Sequence, residues 1–301
     1  MPVTAHDIQL LEALAKHFVL TREQLQRLCS PDTSDRSVRK HLSKLQHGDL
    51  ITKHRMPVML PDGSGAAPVY YLTQEGASVL AAWFEDERYH ATNTRQPRSD
   101  RLNHWFALNE TRMVIEQALR SDPAVTLDGW ISEWEIVDKD ATEGLRYTLH
   151  TQLRETPPLS CSPDAALLLT TRGVSKVFYI EQDLGTSSPH QVASRKTKGY
   201  AELARQLKHR THFPQTNIDS FSILFITPTK YRCVQLGKEL RHHESPELWR
   251  MIDQHELTTE SFLHGQICYQ ADGSRTSLIR PASTAAGTPV ASAALPEGGA
   301  A

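Results

Sequence analysis

Within the stretch SPDAALLLTTRGVSKVFYIEQDLGTSSPHQVASRKTKGY, residues 162–200, three carboxylates, a lysine and a tyrosine fall at spacings that suit phosphate chemistry. Asp164 precedes one apolar run, and Glu181 and Asp183 follow another, so all three acids stand at strand ends, where an open sheet presents its ligand crevice. Successive strand side chains alternate in direction, so Glu181 and Asp183 share a face while Gln182 points away. Hard oxygen ligands clustered in this way suit Mg²⁺ or Mn²⁺. Such an ion would lower the pKa of bound water and neutralise charge on a phosphate. Lys196 and Tyr200, four apart, share one face of a helix and could add a cation and a hydroxyl to the same place. The plainer alternative is that these acids are solvated loop carboxylates. On a helix that also carries Arg195, Lys198, Arg205, Lys208 and Arg210, most bases simply face water or phosphate.

The acids need a sheet to hold them. Runs 165–170 and 177–180 are apolar and partly β-branched, bounded by Arg172-Gly173 and Gly185-Thr186-Ser187, and read as two adjacent buried strands. A helix over 191–210 follows, then a third buried strand over 221–227, helices over 231–242 and 246–254, and a late edge strand over 261–269. Ahead of them, 101–120 reads as a helix carrying Glu110. Residues 125–137 alternate as a strand on which Trp130 and Trp134 share a face.

The N-terminal third has a different pattern. Ile8, Leu11, Leu14, Ala15 and Phe18 make an amphipathic helix, Thr21 and Gln24 a capping box for a second, and Val38, Leu42 and Leu45 the inward face of a third. Arg36, Arg39, Lys40 and Ser43 stay outside. Three short helices, the last basic on its exposed face, make a helix-turn-helix unit. Gly48 ends the third helix, strands follow at 50–55 and 69–73, and the loop MPVMLPDGSGAAP between them is similar to the wing of winged-helix DNA-binding domains. A closing helix runs over 73–84.

Composition is that of an ordinary soluble protein: 301 residues, 39% hydrophobic and 23% charged, with a net charge of −2. The charge is localised, however. Residues 36–55 hold six Lys/Arg against one acid, which leaves the rest of the chain acidic by seven charges. Cys29, Cys161, Cys233 and Cys268 are too far apart for a CxxC zinc pair, and the fifteen histidines lack a zinc-binding spacing. Neither a signal-peptide pattern nor a membrane-spanning apolar run is present, so a reduced cytoplasmic protein with no membrane partner is expected.

At Pro163-Asp164 and Glu181-Gln182-Asp183 the chain resembles the PD-(D/E)xK nuclease superfamily, with Asp183 standing where the motif lysine is expected. Lys196 and Tyr200 look like the Q-x-x-x-Y helix of RecB-type nucleases. The order of winged helix, PD, ExDxGT and K-x-x-x-Y most closely resembles the replication-relaxation family of plasmids and other mobile elements. This resemblance implies an α/β fold, an N-terminal winged helix-turn-helix followed by a restriction-endonuclease-like α/β sandwich. The expected divisions are a winged-helix domain at 1–84, a linker at 85–100, a nuclease-like domain at 101–280 and a disordered tail at 281–301. The implied catalytic set is Asp164, Glu181, Asp183, Lys196, Tyr200 and Glu110, with Mg or Mn held by Asp164, Glu181 and Asp183. The DNA-binding set is Arg36, Arg39, Lys40, Ser43, Lys44, Lys53 and Arg55, and the partner is double-stranded DNA. Two functions stay open: a metal-dependent DNA-nicking endonuclease, or a non-catalytic origin or transcription regulator whose nuclease-like domain serves as a homodimerisation module.

Overall fold

The computed structural model describes residues 2–55, 68–138, 140–142 and 144–279. The wing at 56–67 and the tail at 281–301 lie outside the described residues. The chain opens with α1 (Ala5–His17), β1 (Val19–Thr21), α2 (Arg22–Cys29), α3 (Asp35–His47), β2 (Ile51–His54), β3 (Val69–Leu72) and α4 (Gln74–Phe84). Thr4 with Asp7 and Thr21 with Gln24 close capping boxes on α1 and α2, satisfying amide groups that have no partner within the helix. The apolar stripes of α1, α2 and α3 meet in one core with Leu20, Ile51 and Leu72, and β1, β3 and β2 form a three-stranded antiparallel sheet. This is a winged helix-turn-helix. The third helix does end at Gly48, but the left-handed turn after it is made by Asp49.

The second unit is an α/β sandwich. It comprises α5 (Leu102–Ser121), β4 (Thr126–Ser132), β5 (Thr151–Arg154), β6 (Leu159–Cys161), β7 (Ala165–Thr171), β8 (Val174–Gln182), α6 (Pro189–Arg205), α7 (His209–His212), β9 (Ser222–Thr227), α8 (Lys230–Leu240), β10 (Trp249–Asp253), β11 (Cys268–Tyr269) and β12 (Arg275–Thr276). Seven of its strands form one sheet in the order β12-β11-β10-β9-β8-β7-β4, with β8, β9 and β10 parallel and joined through α6 and α8. Strand alternation divides the core in two. Leu167, Leu169, Phe178, Ile180, Leu224 and Ile226 face α5, whereas Ala166, Leu168, Val177, Tyr179, Ile223 and Phe225 face α6 and α8.

Three expectations change. Residues 246–254 form a short 3-10 turn (Pro246–Leu248) and then β10, because Trp249, Met251 and Ile252 are buried between β9 and β11. Of the edge strand expected at 261–269, only Cys268–Tyr269 pairs. Residues 85–100 are not a loose connector. They form 3-10 turns at Glu87–Ala91 and Ser99–Arg101 and bury Asn93 and Pro97.

The two units share a core, in which Phe18, Val19, Val69 and Tyr71 pack with Leu102, Trp105, Leu108 and Trp134. Buried polar contacts fix the docking. Asn109 of α5 donates to the carbonyls of His17 (3.2 Å) and Val19 (2.6 Å), and its amide oxygen meets His17 Nδ1 at 3.1 Å. Burial pushes His17 down to about 3 and keeps it neutral. Glu116 accepts from Arg112 (2.7 Å) and from Lys16 of α1 (2.9 Å). Among the described residues no helix is long and apolar enough to cross a membrane.

Candidate functional site

Asp164 is the last residue before β7, and its carboxylate extends the sheet. The Asp164 N–H donates to Ile180 O at 3.1 Å, and its Oδ2 accepts from the Gln182 N–H at 2.7 Å, so the side chain takes the place of a strand carbonyl. This tether places Asp164 beside the end of β8. Alternation then sends Glu181 and Asp183 toward the α6/α8 face, while Gln182 turns to Thr111 of α5 (2.8 Å), as the sequence pattern requires.

The partners of Glu181 come from α6. Ser188 with Gln191 forms a capping box and Pro189 occupies the first turn, which starts the helix just past the β8 loop. At Gly199 the helix passes so close to β6 that a Cβ would stand 3.0 Å from Ser160 O. Glycine therefore permits the approach that brings Lys196 and Tyr200 inward. Lys196 Nζ donates to both Glu181 oxygens (2.9 and 2.7 Å), and Tyr200 OH donates to Oε1 at 2.6 Å. Tyr200 is fully buried against Trp249 and Tyr179. Burial, with Asp164 nearby, pushes Glu181 up to about 7 despite Lys196. Burial works against the Lys196 cation but is outweighed by Glu181 and Asp164, which hold the amine well above its usual range.

Asp183 lies on the predicted face, but Arg232 of α8 occupies it. The guanidinium pairs with both carboxylate oxygens and also donates to Ser187 O at 2.7 Å. Asp183 thus ties the β8–α6 loop to α8 and does not join Asp164. Glu110 is also elsewhere. It pairs with Gln24 (2.8 Å) and Arg27 of α2, at the contact between the two units.

Glu181, taken by Lys196 and Tyr200, is likewise outside the group around Asp164, and two residues not singled out from the sequence stand there instead. His104 of α5 brings Nε2 to 3.2 Å from Asp164 Oδ1 and 3.4 Å from Glu133 Oε1, and one ligand atom from each of the three lies within 4.8 Å of the others. Glu133 follows β4 and is held by Trp105 Nε1 (2.7 Å) and Arg101 (2.6 Å). His104 Nε2 is buried without a hydrogen bond of proper geometry, and one imidazole with two carboxylates is a donor set that fits a divalent cation, Mn²⁺ better than Mg²⁺. Burial alone would lower the His104 pKa, but Asp164 and Glu133 raise it to about 10. In the same network Asp164 is held far below the usual carboxylate range: its burial is outweighed by His104 and Lys196. Charge is therefore balanced by the protein. Glu133, Asp164, Glu181 and Asp183 meet Arg101, His104, Lys196 and Arg232.

On the winged helix, Val38, Leu42 and Leu45 turn inward and leave Arg36, Arg39, Lys40 and Ser43 of α3 exposed, with Lys53 and Arg55 exposed on and after β2. Lys44 differs. Its Nζ pairs with the buried Asp7 carboxylate at 2.6 Å, where His41 also reaches Asp7 at 2.8 Å, so it braces α3 against α1. Arg39 pairs with Asp35 along α3 at 2.8 Å. Trp130 and Trp134 join the core shared by the two units, with Arg112 stacked 4.6 Å over the Trp130 ring.

No curated protein matches the chain. Among solved structures it is similar to a protein with a GntR superfamily winged-helix-turn-helix domain from Halomicrobium mukohataei (22% identity over 32% of this chain and 71% of that one, TM-score 0.23). It is also similar to restriction endonuclease FokI, alone and bound to DNA. Each of those two matches has 13% identity, covers 85% of this chain and has a TM-score of 0.28. The chain spans 42% of the FokI chain solved alone and 43% of the one bound to DNA. The family model described as replication-relaxation matches residues 11–216, which takes in the winged helix, α5, Asp164, Glu181 and α6. The chain belongs to the replication-relaxation family.

Proposed function

We propose that the protein binds double-stranded DNA of a plasmid or other mobile element and nicks one strand near Asp164 in a divalent-metal-dependent reaction. The observation that supports it most is the convergence of Lys196 and Tyr200 on Glu181, one strand from Asp164: a helix supplies the cation that the strand motif lacks. His104, Glu133 and Asp164 would hold the ion. When bound, it would lower the pKa of water and offset charge on the scissile phosphate. Lys196, kept protonated, turns from Glu181 to the phosphate and stabilises its developing charge. Tyr200 holds Glu181 in place while Lys196 moves. Arg36, Arg39, Lys40, Ser43, Lys53 and Arg55 grip the duplex.

In this reading residues 1–84 deliver DNA, 101–280 process it, and 85–100 fix the distance between the two. The four free cysteines suit the cytoplasm.

A second reading rests on the balanced charge. With each carboxylate already opposite a cation, the centre is stable without metal, as a DNA-binding regulator with a non-catalytic, dimerising second unit would require. Supercoiled plasmid with Mn²⁺, Mg²⁺ or chelator separates the two. Nicking by the wild type that Asp164→Asn and Lys196→Ala both abolish, with gel-shift binding kept, supports the first. Binding without nicking in any of the three proteins supports the second.

A further inference from the structure

A cavity of about 380 Å³ opens where three parts of the chain meet: Phe18 after α1, the connector residues 93–101, and Ser162-Pro163 leading into Asp164. We propose that it receives a single unpaired nucleotide of a DNA strand, with the phosphate toward Arg95 and His150 and the base against Tyr147. The proposal rests on the DNA-processing reading above and names the form of substrate that reaches the site.

Charge and position point this way. Among the described residues the lining carries three arginines and one acid: Arg101 pairs with Glu133, whose other oxygen is taken by Trp105, and Arg98 pairs with Asp100 beside the cavity, which leaves Arg95 as the cation open to a phosphate. Arg95 is exposed, and its guanidinium has no partner among the described residues. His150 is steadied by Ser162, Nδ1 to Oγ 2.8 Å, two residues from Asp164. Trp105 and Trp134 pack on Phe18 to make an aromatic floor, and half-buried Tyr147 offers a ring at the side. Sequence-tolerant binding of single strands uses this combination of basic side chains and stacking rings.

Size supplies the selectivity. The volume falls in the range of pockets that enclose one small organic ligand. A duplex, whose major groove alone is about 12 Å wide, cannot enter. Enzymes that act on one nucleotide take it out of the stack into such a pocket. Glu133 lines the cavity and also faces His104, so a nucleotide seated here sets its backbone beside the Asp164 centre.

The test uses the full chain and fluorescence anisotropy, with a labelled single strand, the same sequence as a duplex, and dAMP or dTMP as competitors. Arg95→Glu and Tyr147→Leu are expected to weaken single-strand binding by about tenfold or more and to leave duplex binding unchanged. Arg39→Glu with Lys40→Glu is expected to do the reverse. Unchanged single-strand affinity in both cavity variants overturns the proposal. So does a free mononucleotide that binds as tightly as the strand, since the occupant would then be a free nucleotide. Near-UV circular dichroism checks folding. Photocrosslinking of a 5-iodouridine strand to the wild type should label Tyr147 or Trp134, and labelling confined to the winged helix also overturns the proposal. All of these are binding readouts. A protein that shows the pattern yet nicks no plasmid refutes only the catalytic reading.

Discussion

If His104, Glu133 and Asp164 hold a divalent ion, the ion must displace the proton that His104 carries between the two carboxylates. His104 sits at about 10. At pH 7 it is three pH units below its pKa, so proton competition should weaken the apparent affinity by about a thousandfold relative to the deprotonated site. Each unit of pH gained below 10 recovers about tenfold, or ~1.4 kcal/mol. The metal-free protein should move the other way. A raised His pKa gives stability that is complete below about 6.5 and is lost as pH climbs through about 10. Stabilisation by Mn²⁺ should therefore grow with pH while the metal-free baseline falls. Once Mn²⁺ exceeds Kd a hundredfold the gain is about 2.7 kcal/mol, a Tm rise of roughly 4–5 °C for a chain of this size. Titration calorimetry and thermal melts at pH 7, 8 and 8.5, with Mn²⁺ and with Mg²⁺, measure both. Mn²⁺ should bind more tightly than Mg²⁺ because one donor is an imidazole. Asp164→Asn should abolish the effect. A wild-type Kd that does not change with pH, or no Tm change at millimolar Mn²⁺ at any pH, would refute the assignment of these three residues.

Lys196→Ala should abolish nicking yet keep Mn²⁺ binding, because Lys196 touches Glu181 and not the His104 group; loss of both in calorimetry would place Lys196 in the metal site. Arg39→Glu with Lys40→Glu should lower duplex affinity steeply and reduce the slope of log K against log salt by about 2, near 0.9 for each phosphate no longer neutralised; an unchanged slope would move the DNA surface elsewhere. Glu116→Gln should loosen the docking of the two units. Burial, which disfavours the carboxylate, is outweighed by Arg112 and Lys16, leaving Glu116 at about 2. Against an ordinary glutamate this stabilises the fold by about 3 kcal/mol at pH 7, in full above about pH 4.5 and falling as pH drops through 2. Urea unfolding should show the gap between wild type and variant shrink to about 2 kcal/mol at pH 3.5, and a gap independent of pH would mean that the carboxylate charge is not what matters.

Much of this arrangement was legible in the sequence because strand and helix periods are local. Alternation along β8 placed Glu181 and Asp183 on one face, and the four-residue spacing brought Lys196 and Tyr200 together on Glu181. The Pro246-to-Gln254 stretch was misread because a short apolar run fits either period, and only burial between β9 and β11 decides for a strand. His104 could have been found. It heads the stripe His104, Leu108, Thr111, Ile115, all four of which are buried, whereas Glu110 stands off that stripe and faces α2. Glu133 could not, since it comes from the turn after β4 and meets His104 only once the sheet closes. Asp183 follows the same logic. Its place in the motif was readable, but its partner Arg232 arrives 49 residues later on α8. The acid that stands where a lysine was expected is neutralised by Arg232, and the cation beside Glu181 comes from Lys196 on the neighbouring helix. Without Arg232 and Lys196 the buried Asp183 and Glu181 would stand unpaired, a cost of several kcal/mol. Arg232 and Lys196 thus leave Asp183 and Glu181 each opposite a cation, and strand cleavage as proposed above requires Lys196 to leave Glu181 for a phosphate.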